Sequence, residues 1–175
     1  MSHSIRPAAP ADIPAITAIY AHAVTHGTAS FELTPPNETE MRRRFDALMA
    51  SHHPYLVFED DGVVLGYAYA GPHRPRPAYR WAVESSIYIA PERQGMGIGK
   101  ALLAALVDEA TVRGFRQMIG VVGDSTHAAS IRLHEAAGFE VIGTVKNVGR
   151  KFDRWLDIVM LQRALGDGAK TPPER

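Results

Sequence analysis

The chain has 175 residues, 46% of them hydrophobic, with 19 basic and 19 acidic side chains and a formal net charge of zero. That length fits one domain with a sizeable core. The balanced charge argues against bulk binding to nucleic acid or an anionic membrane. With no cysteine, disulfides, thiolate metal sites and a cysteine nucleophile are excluded.

The start, "MSHSIRPAAPADIPAI", has no long apolar stretch behind a basic region, so neither a signal peptide nor a membrane span is expected, and a cytoplasmic location is the default. "SIRPA" predicts a short strand. A helix follows from about Asp12, expected as its N-cap, with Ile13, Ile16, Tyr20, Ala23 and Val24 on one face. "TASFELTPPN" reads as a loop. A second helix, from about Glu38 to Ser51, is predicted to bury Met41, Phe45, Leu48 and Met49. "PYLVFEDDGVVLGYAYAG" reads as a hairpin turning at Asp-Asp-Gly. The proline-punctuated "PHRPRPAYRW" cannot be a strand interior.

"AVESSIYIA" alternates as a strand, with Val83, Ser85, Ile87 and Ile89 on one side and a polar face of Glu84, Ser86 and Tyr88 on the other. After a glycine-rich loop, a helix stripe carries Ile98, Leu102, Leu103, Leu106, Val107 and Ala110. "RQMIGVVG" is a strand, and "THAASIRLHEAAGF" is a helix closed by Gly138. "FEVIGTVKNVG" and "RWLDIVMLQRA" are two further strands. The fold class is therefore mixed α/β. Residues 1–165 form a single domain, and 166–175, "GDGAKTPPER", a flexible tail.

The loop "APERQGMGIGKALLAAL" places three glycines within five residues, directly before a helix. Two readings stand: a strand-to-helix turn, or an anion site in which bare N–H groups and the helix dipole meet a phosphate. It is not a P-loop, because Gln94 stands where the first glycine belongs and Ala101 follows Lys100. Nor is it a dinucleotide fingerprint, whose third glycine is replaced by Lys100. Arg93 and Lys100 add cations nearby.

Gln-x-x-Gly-x-Gly between a strand and a helix resembles the acetyl-CoA pyrophosphate loop of the GNAT N-acetyltransferase superfamily. "AYRWAVESSIYIAPERQGMGIGKALL", "AASIRLHEAAGF" and "KFDRWLDIVMLQ" resemble its phosphinothricin and methionine sulfoximine acetyltransferase branch, and the likeness runs to about Leu165. The resemblance implies a GNAT fold: a central, mostly antiparallel mixed sheet with splayed middle strands flanked by helices. It implies acetyl-CoA as cosubstrate, no metal, a small amino-acid-like acceptor, and a homodimer. It places the pantetheine arm along the main chain of Ile87, Tyr88 and Ile89, and the pyrophosphate at Gly95, Met96, Gly97, Ile98, Gly99 and Lys100. A strand amide there is expected to polarise the thioester carbonyl.

Glu84 occupies the family's catalytic carboxylate position and is the expected base, although a strand carboxylate is equally a common solvated side chain. An α-ammonium is mostly protonated at neutral pH and only the free amine attacks, so relay through water suits a carboxylate. His134 is expected to donate a proton to the leaving thiolate; the alternative is a helix histidine bonded to a neighbour. Family members commonly carry Asn three residues before the helix Ser; here His127 precedes Ser130, and a weakened or rearranged coenzyme contact is expected. Without cysteine, direct transfer in a ternary complex is favoured.

The acceptor is expected at Arg74, Pro75 and Arg76, and at Glu84, Ser85 and Ser86, with arginine forks meeting an anion. Phe31 is expected to wall the pocket, while Lys151 and Trp155 read equally as structural or functional. Two alternatives stay open: another amine acceptor, such as a peptide N-terminus, and a non-catalytic coenzyme A-binding module.

Overall fold

The computed structural model of the chain describes residues 3–173. β1 (His3–Pro7) is followed by α1 (Ile13–His26) and α2 (Glu38–Ala50), then by β2 (Tyr55–Asp60) and β3 (Val63–Pro72). β4 (Ala82–Ile89), α3 (Ile98–Val112), β5 (Gln117–Gly123) and α4 (Ala128–Ala136) form the centre, and β6 (Glu140–Lys151) and β7 (Arg154–Ala164) complete the order. The β2–β3 turn has Asp61 at φ 46° and Gly62 at φ 81°. Two left-handed residues in succession match the right-handed twist of a tight hairpin, which is why Asp-Gly turns the chain here.

The strands make one seven-stranded sheet in the order β1-β2-β3-β4-β5-β7-β6. All neighbours are antiparallel except β4 and β5. A parallel pair needs a crossover, and α3 supplies it. On that face the α3 stripe Ile98, Leu102, Leu103 and Leu106 packs with Val83, Met118 and Leu161. On the opposite face α1 and α2 bring Ile16, Val24 and Phe45 against Tyr55, Val57 and Tyr67. This is the mixed, mostly antiparallel sheet flanked by helices that the resemblance implies.

Two expectations need correction. Asp12 does not cap α1 with its side chain. Its carboxylate reaches back across a 3-10 turn (Pro10–Asp12) to accept from the Ala9 N–H at 2.7 Å, and from Arg6 at 2.8 and 2.9 Å. Arg6 also binds Glu59 at 2.9 Å, and its hydrogen bond holds the Asp12 carboxyl below its ordinary range. The half-buried guanidinium network, holding the buried Asp12 carboxylate, outcompetes an isolated cap.

The Glu84–Ser86–Tyr88 face of β4, expected as the polar face, is covered by aromatic rings at its far end. Tyr88 packs edge-on to Tyr20 of α1 at 4.9 Å and against Tyr67 at 5.4 Å, so α1 covers its far end. Alternation correctly separated the two faces, but both are covered. The segment from Gly166, expected to be a flexible tail, is tied to Arg116. Its guanidinium donates to the Gly168 and Pro172 carbonyls and to the Thr171 hydroxyl. Glu174 and Arg175, the end of that segment, lie outside the described residues.

Candidate active site

The glycine loop passes from β4 into α3 with Gly95 at φ 77° and Gly97 at φ 83°. A side chain added at either would meet nothing within 4 Å, so glycine is needed there for the backbone angle and not for space. Gly97 is the N-cap residue, and no side chain caps this end of α3. The N–H groups of Ile98, Gly99 and Lys100 therefore have no intrahelical acceptor. Ile98 is buried and roots the loop, while Gly95, Met96, Gly97 and Lys100 are exposed. Unpaired amides at the positive end of a helix, beside a lysine, fit a diphosphate.

β4 and β5 pair over only Ala82↔Gln117, Val83↔Met118, Glu84↔Ile119 and Ser85↔Gly120. Beyond Ser85, β4 continues to Ile89 and remains paired to β3, whereas β5 continues to Gly123 paired to β7. The two strands part, as the splayed-strand expectation has it. The β4 edge from Ser86 to Ile89 thus faces a cleft, and its main-chain groups need a partner there. Ile87 and Ile89 pack into the α3-side core, so these residues can meet a ligand through their backbone.

Glu84 and His134 flank the apex of the cleft from opposite faces. Glu84 points into the α1–α2 side and is 39% exposed. His134, on α4, lies over Gly120 at the last β4–β5 rung: a Cβ there would come within 2.7 Å of Cδ2 and 2.9 Å of Nε2. The glycine makes room for the imidazole.

The structure does not give His134 the form of a proton donor. The ring is buried, and its Nδ1 lies 2.8 Å from the Ser130 carbonyl. A carbonyl only accepts, so Nδ1 carries the hydrogen, and Nε2 in the neutral ring presents a lone pair. Burial lowers its pKa, an effect only opposed by that hydrogen bond. The neutral form is thus favoured on folding, and the unfolded chain binds the extra proton between the lowered value and the ordinary one. The stability this group contributes is complete above about pH 6.5 and is lost as pH falls through the folded value. His53, also pushed down by burial, adds in the same direction. The urea midpoint should therefore fall between about pH 7.5 and about pH 5.5, and fall less in His134→Gln. Equal acid losses in both proteins would remove His134 as a source.

On the Glu84 side, a cavity of about 400 Å³ is lined by Tyr20, Tyr55, Tyr67 and Tyr69 with Glu84, Ser86, Arg43 and Arg44. Burial pushes the Tyr20 phenol up to about 12 and raises Tyr55, Tyr67 and Tyr69 as well. These phenols stay neutral near pH 7 and serve as hydrogen-bonding walls, not bases. Arg44 is fixed by Glu32 at 2.7 Å and Glu40 at 2.8 Å. Ser85 faces the other way and is buried, its hydroxyl 3.4 Å from the Ile119 carbonyl; of the two serines expected at the acceptor, only Ser86 lines this cavity.

Arg74, Pro75 and Arg76 are exposed and do not line the cavity. The cations that do are Arg43 and Arg44, which the sequence reading did not single out. The available signal was spacing: Arg44 stands three residues after the buried Met41 and thus shares its face. His73 was also missed, although its Nδ1 lies 3.4 Å from Glu84 Oε2. His127 begins α4 with its side chain exposed, and its N–H donates to the Asp124 carbonyl at 2.9 Å. Ser130 contributes the carbonyl that orients His134.

Phe31 is wedged between two strands. A Cβ at Gly149 would come within 2.3 Å of its ring, and one at Gly123 within 2.9 Å. Its loop is locked by Lys151, whose buried ammonium donates to the Ser30 carbonyl at 2.8 Å, and by Tyr20, bonded to the Ser30 hydroxyl at 2.9 Å. Lys151 is thus structural. Trp155 is 62% exposed on β7. A larger open groove of about 800 Å³ beside Gly138, Gln162 and Arg163 holds none of the expected site residues.

A family model described as acetyltransferase (GNAT) family matches residues 19–139. The chain is 53% identical over 163 residues to a phosphinothricin N-acetyltransferase of Alcaligenes faecalis, covering 93% of this chain and 83% of that protein. It is 42% identical over 173 residues to an L-methionine sulfoximine/L-methionine sulfone acetyltransferase of Pseudomonas paraeruginosa, covering 98% and 100%. Its fold superposes with a TM-score of 0.96 on the crystal structure of a GNAT superfamily phosphinothricin acetyltransferase from Sinorhizobium meliloti in complex with acetyl-CoA. Identity is 49%, covering 100% of this chain and 95% of that one.

Proposed function

The chain belongs to the acetyltransferase (GNAT) family, and from that premise we propose that it moves acetyl from acetyl-CoA to the α-amino group of a small anionic amino acid. Phosphinothricin, methionine sulfoximine and methionine sulfone are the acceptors favoured by its relatives. The observation that carries the reading is the parting of β4 from β5 after Ser85, beside Glu84 and leading to the glycine loop.

Acetyl-CoA supplies the activated thioester. The amides of Gly95 to Lys100 hold its diphosphate, and the free edge of Ile87, Tyr88 and Ile89 aligns its arm. The acceptor lies on the tyrosine-lined side, where Glu84 takes the ammonium proton directly or through water and frees the amine for direct attack. Ser86 and the fixed Arg44 orient it. Arg74 and Arg76, two and four residues beyond Pro72 at the cavity rim, fold over its carboxylate. On the opposite face neutral His134 offers Nε2 as an acceptor for the product thiol, and His127 and Ser130 border the arm. The departing sulfur takes its proton from elsewhere.

A homodimer through the outer strands is part of the reading, supported by exposed Ile142, Val145, Val148 and Trp155 on β6 and β7. The deciding experiment is coenzyme A thiol release by purified protein given acetyl-CoA and each of the three acceptors, with a peptide amine and an aminoglycoside for comparison. Release with the amino acids, and little with the other amines, is the expected result. No release with any amino acid overturns the proposal, and release with peptide alone moves it to a peptide acetyltransferase.

A further inference from the structure

We infer that Gly71 is a specificity-determining residue, kept bare so that the hydrocarbon stem of an amino-acid acceptor can lie beside Glu84. This rests on the acetyl-transfer reading above and deepens it. Gly71 pairs with Glu84 across the β3–β4 ladder. Directly opposed residues present their Cβ positions to the same face of a sheet. Both residues line the tyrosine-walled cavity.

A glycine inside a strand weakens it, because the bare backbone loses more freedom on folding and packs nothing. At Gly66, Gly120, Gly123 and Gly149 the protein itself supplies the reason. A Cβ would come within 2.8 Å of Ile89 at Gly66 and within 2.7 Å of His134 at Gly120, and would collide with Thr28 or Phe31 at the other two. Gly143 sits where β6 shifts register against β7. Gly71 has neither reason. Its φ is not left-handed, and β3 passes through it in regular register with β4. An added Cβ would meet Leu48 Cδ2 at 3.7 Å and the Tyr69 ring at 3.8 Å, ordinary separations for packed carbons. Alanine would fit the protein; what it would crowd is the occupant of the cavity.

The position says what that occupant is. Glu84 takes a proton from an ammonium, so the amine nitrogen lies at the carboxylate and its carbon one bond away, over the opposing strand. Leu48 and Met41 on the same wall offer only apolar side chains. The stretch of acceptor next to the amine is therefore hydrocarbon, as in an α-amino acid whose polar end group begins further along. An amino sugar carries hydroxyls beside its amine, and against Leu48 these would go unpaired.

The test is Gly71→Ala. One methylene more or less in an apolar pocket changes kcat/KM by about 10- to 200-fold, and a loss of that size is expected with phosphinothricin and methionine sulfone, carried by KM. The Tm should hold or rise, because alanine restricts the unfolded chain, and acetyl-CoA should bind within about twofold of wild type. A merely structural glycine would not let stability and acceptor use move apart. The contact is also read without turnover: phosphinothricin titrated into protein saturated with coenzyme A should bind at least about 10-fold more weakly in Gly71→Ala. Unchanged kcat/KM and acceptor binding, or a loss that comes with a fall in Tm or in acetyl-CoA affinity, overturns the inference while wild type remains active. A wild type that acetylates none of the acceptors removes the transfer reading and this inference with it.

Discussion

Glu84→Gln should lower kcat by about 10²- to 10³-fold while leaving acetyl-CoA affinity within about twofold. Glutamine keeps the size and one oxygen of the side chain but cannot take a proton, so the acceptor stays an ammonium with no lone pair to attack. The donor is held elsewhere, by the glycine loop and by the β4 edge beyond Ser85. The Glu84 side chain is 39% exposed and its only hydrogen-bond partner among the described residues is His73, so the fold should tolerate the change. Steady-state thiol release paired with calorimetric titration of acetyl-CoA separates the two effects. Undiminished turnover would remove Glu84 as the base; loss of donor binding would make it a structural strut.

Gly123→Ala should destabilise the protein by about 3 kcal/mol, a fall of about 6–12 °C in Tm for a chain of this size. The added methyl would sit 2.2 Å from the Thr28 carbonyl oxygen and 2.9 Å from the Phe31 ring. A flexible side-chain tip moves aside at small cost, but a backbone carbonyl does not. Shifting Thr28 would drag Ser30 away from both Lys151 and Tyr20. Because Tyr20 also lines the cavity proposed for the acceptor, KM for the acceptor should rise alongside the stability loss. Gly143→Ala is the control: nothing lies within 4 Å of its Cβ position, and thermal unfolding should be nearly unchanged. Equal effects at the two positions would show that the close approach carries no weight.

What the sequence made legible was local. The β4 alternation, the stripe along α3, the Asp-Gly hairpin and the bare loop before α3 each announce themselves within a few consecutive residues, and each is found where expected. The cavity proposed for the acceptor was not legible, because its tyrosines come from α1, β2 and β3 and meet only through strand register. Arg43 and Arg44 carried no motif to single them out, and the Arg74–Arg76 segment was expected to meet the acceptor. The fold brings the first pair to the cavity wall and leaves the second exposed. His134 was found by resemblance, but its protonation could not be read, since that depends on the Ser130 carbonyl one turn earlier and on burial under Phe139. Asp12 misled for a related reason: an N-cap signature is a local rule, and Arg6 of β1, itself held by Glu59 of β2, overrode it.

The brief β4–β5 ladder has a mechanical consequence. Four rungs join two antiparallel leaves, β1 to β4 on one side and β5 to β7 on the other, and a bound thioester donor would rivet them along the open seam. Stability against unfolding would then rise with donor concentration, gaining about 2.7 kcal/mol when the donor stands at a hundredfold its dissociation constant.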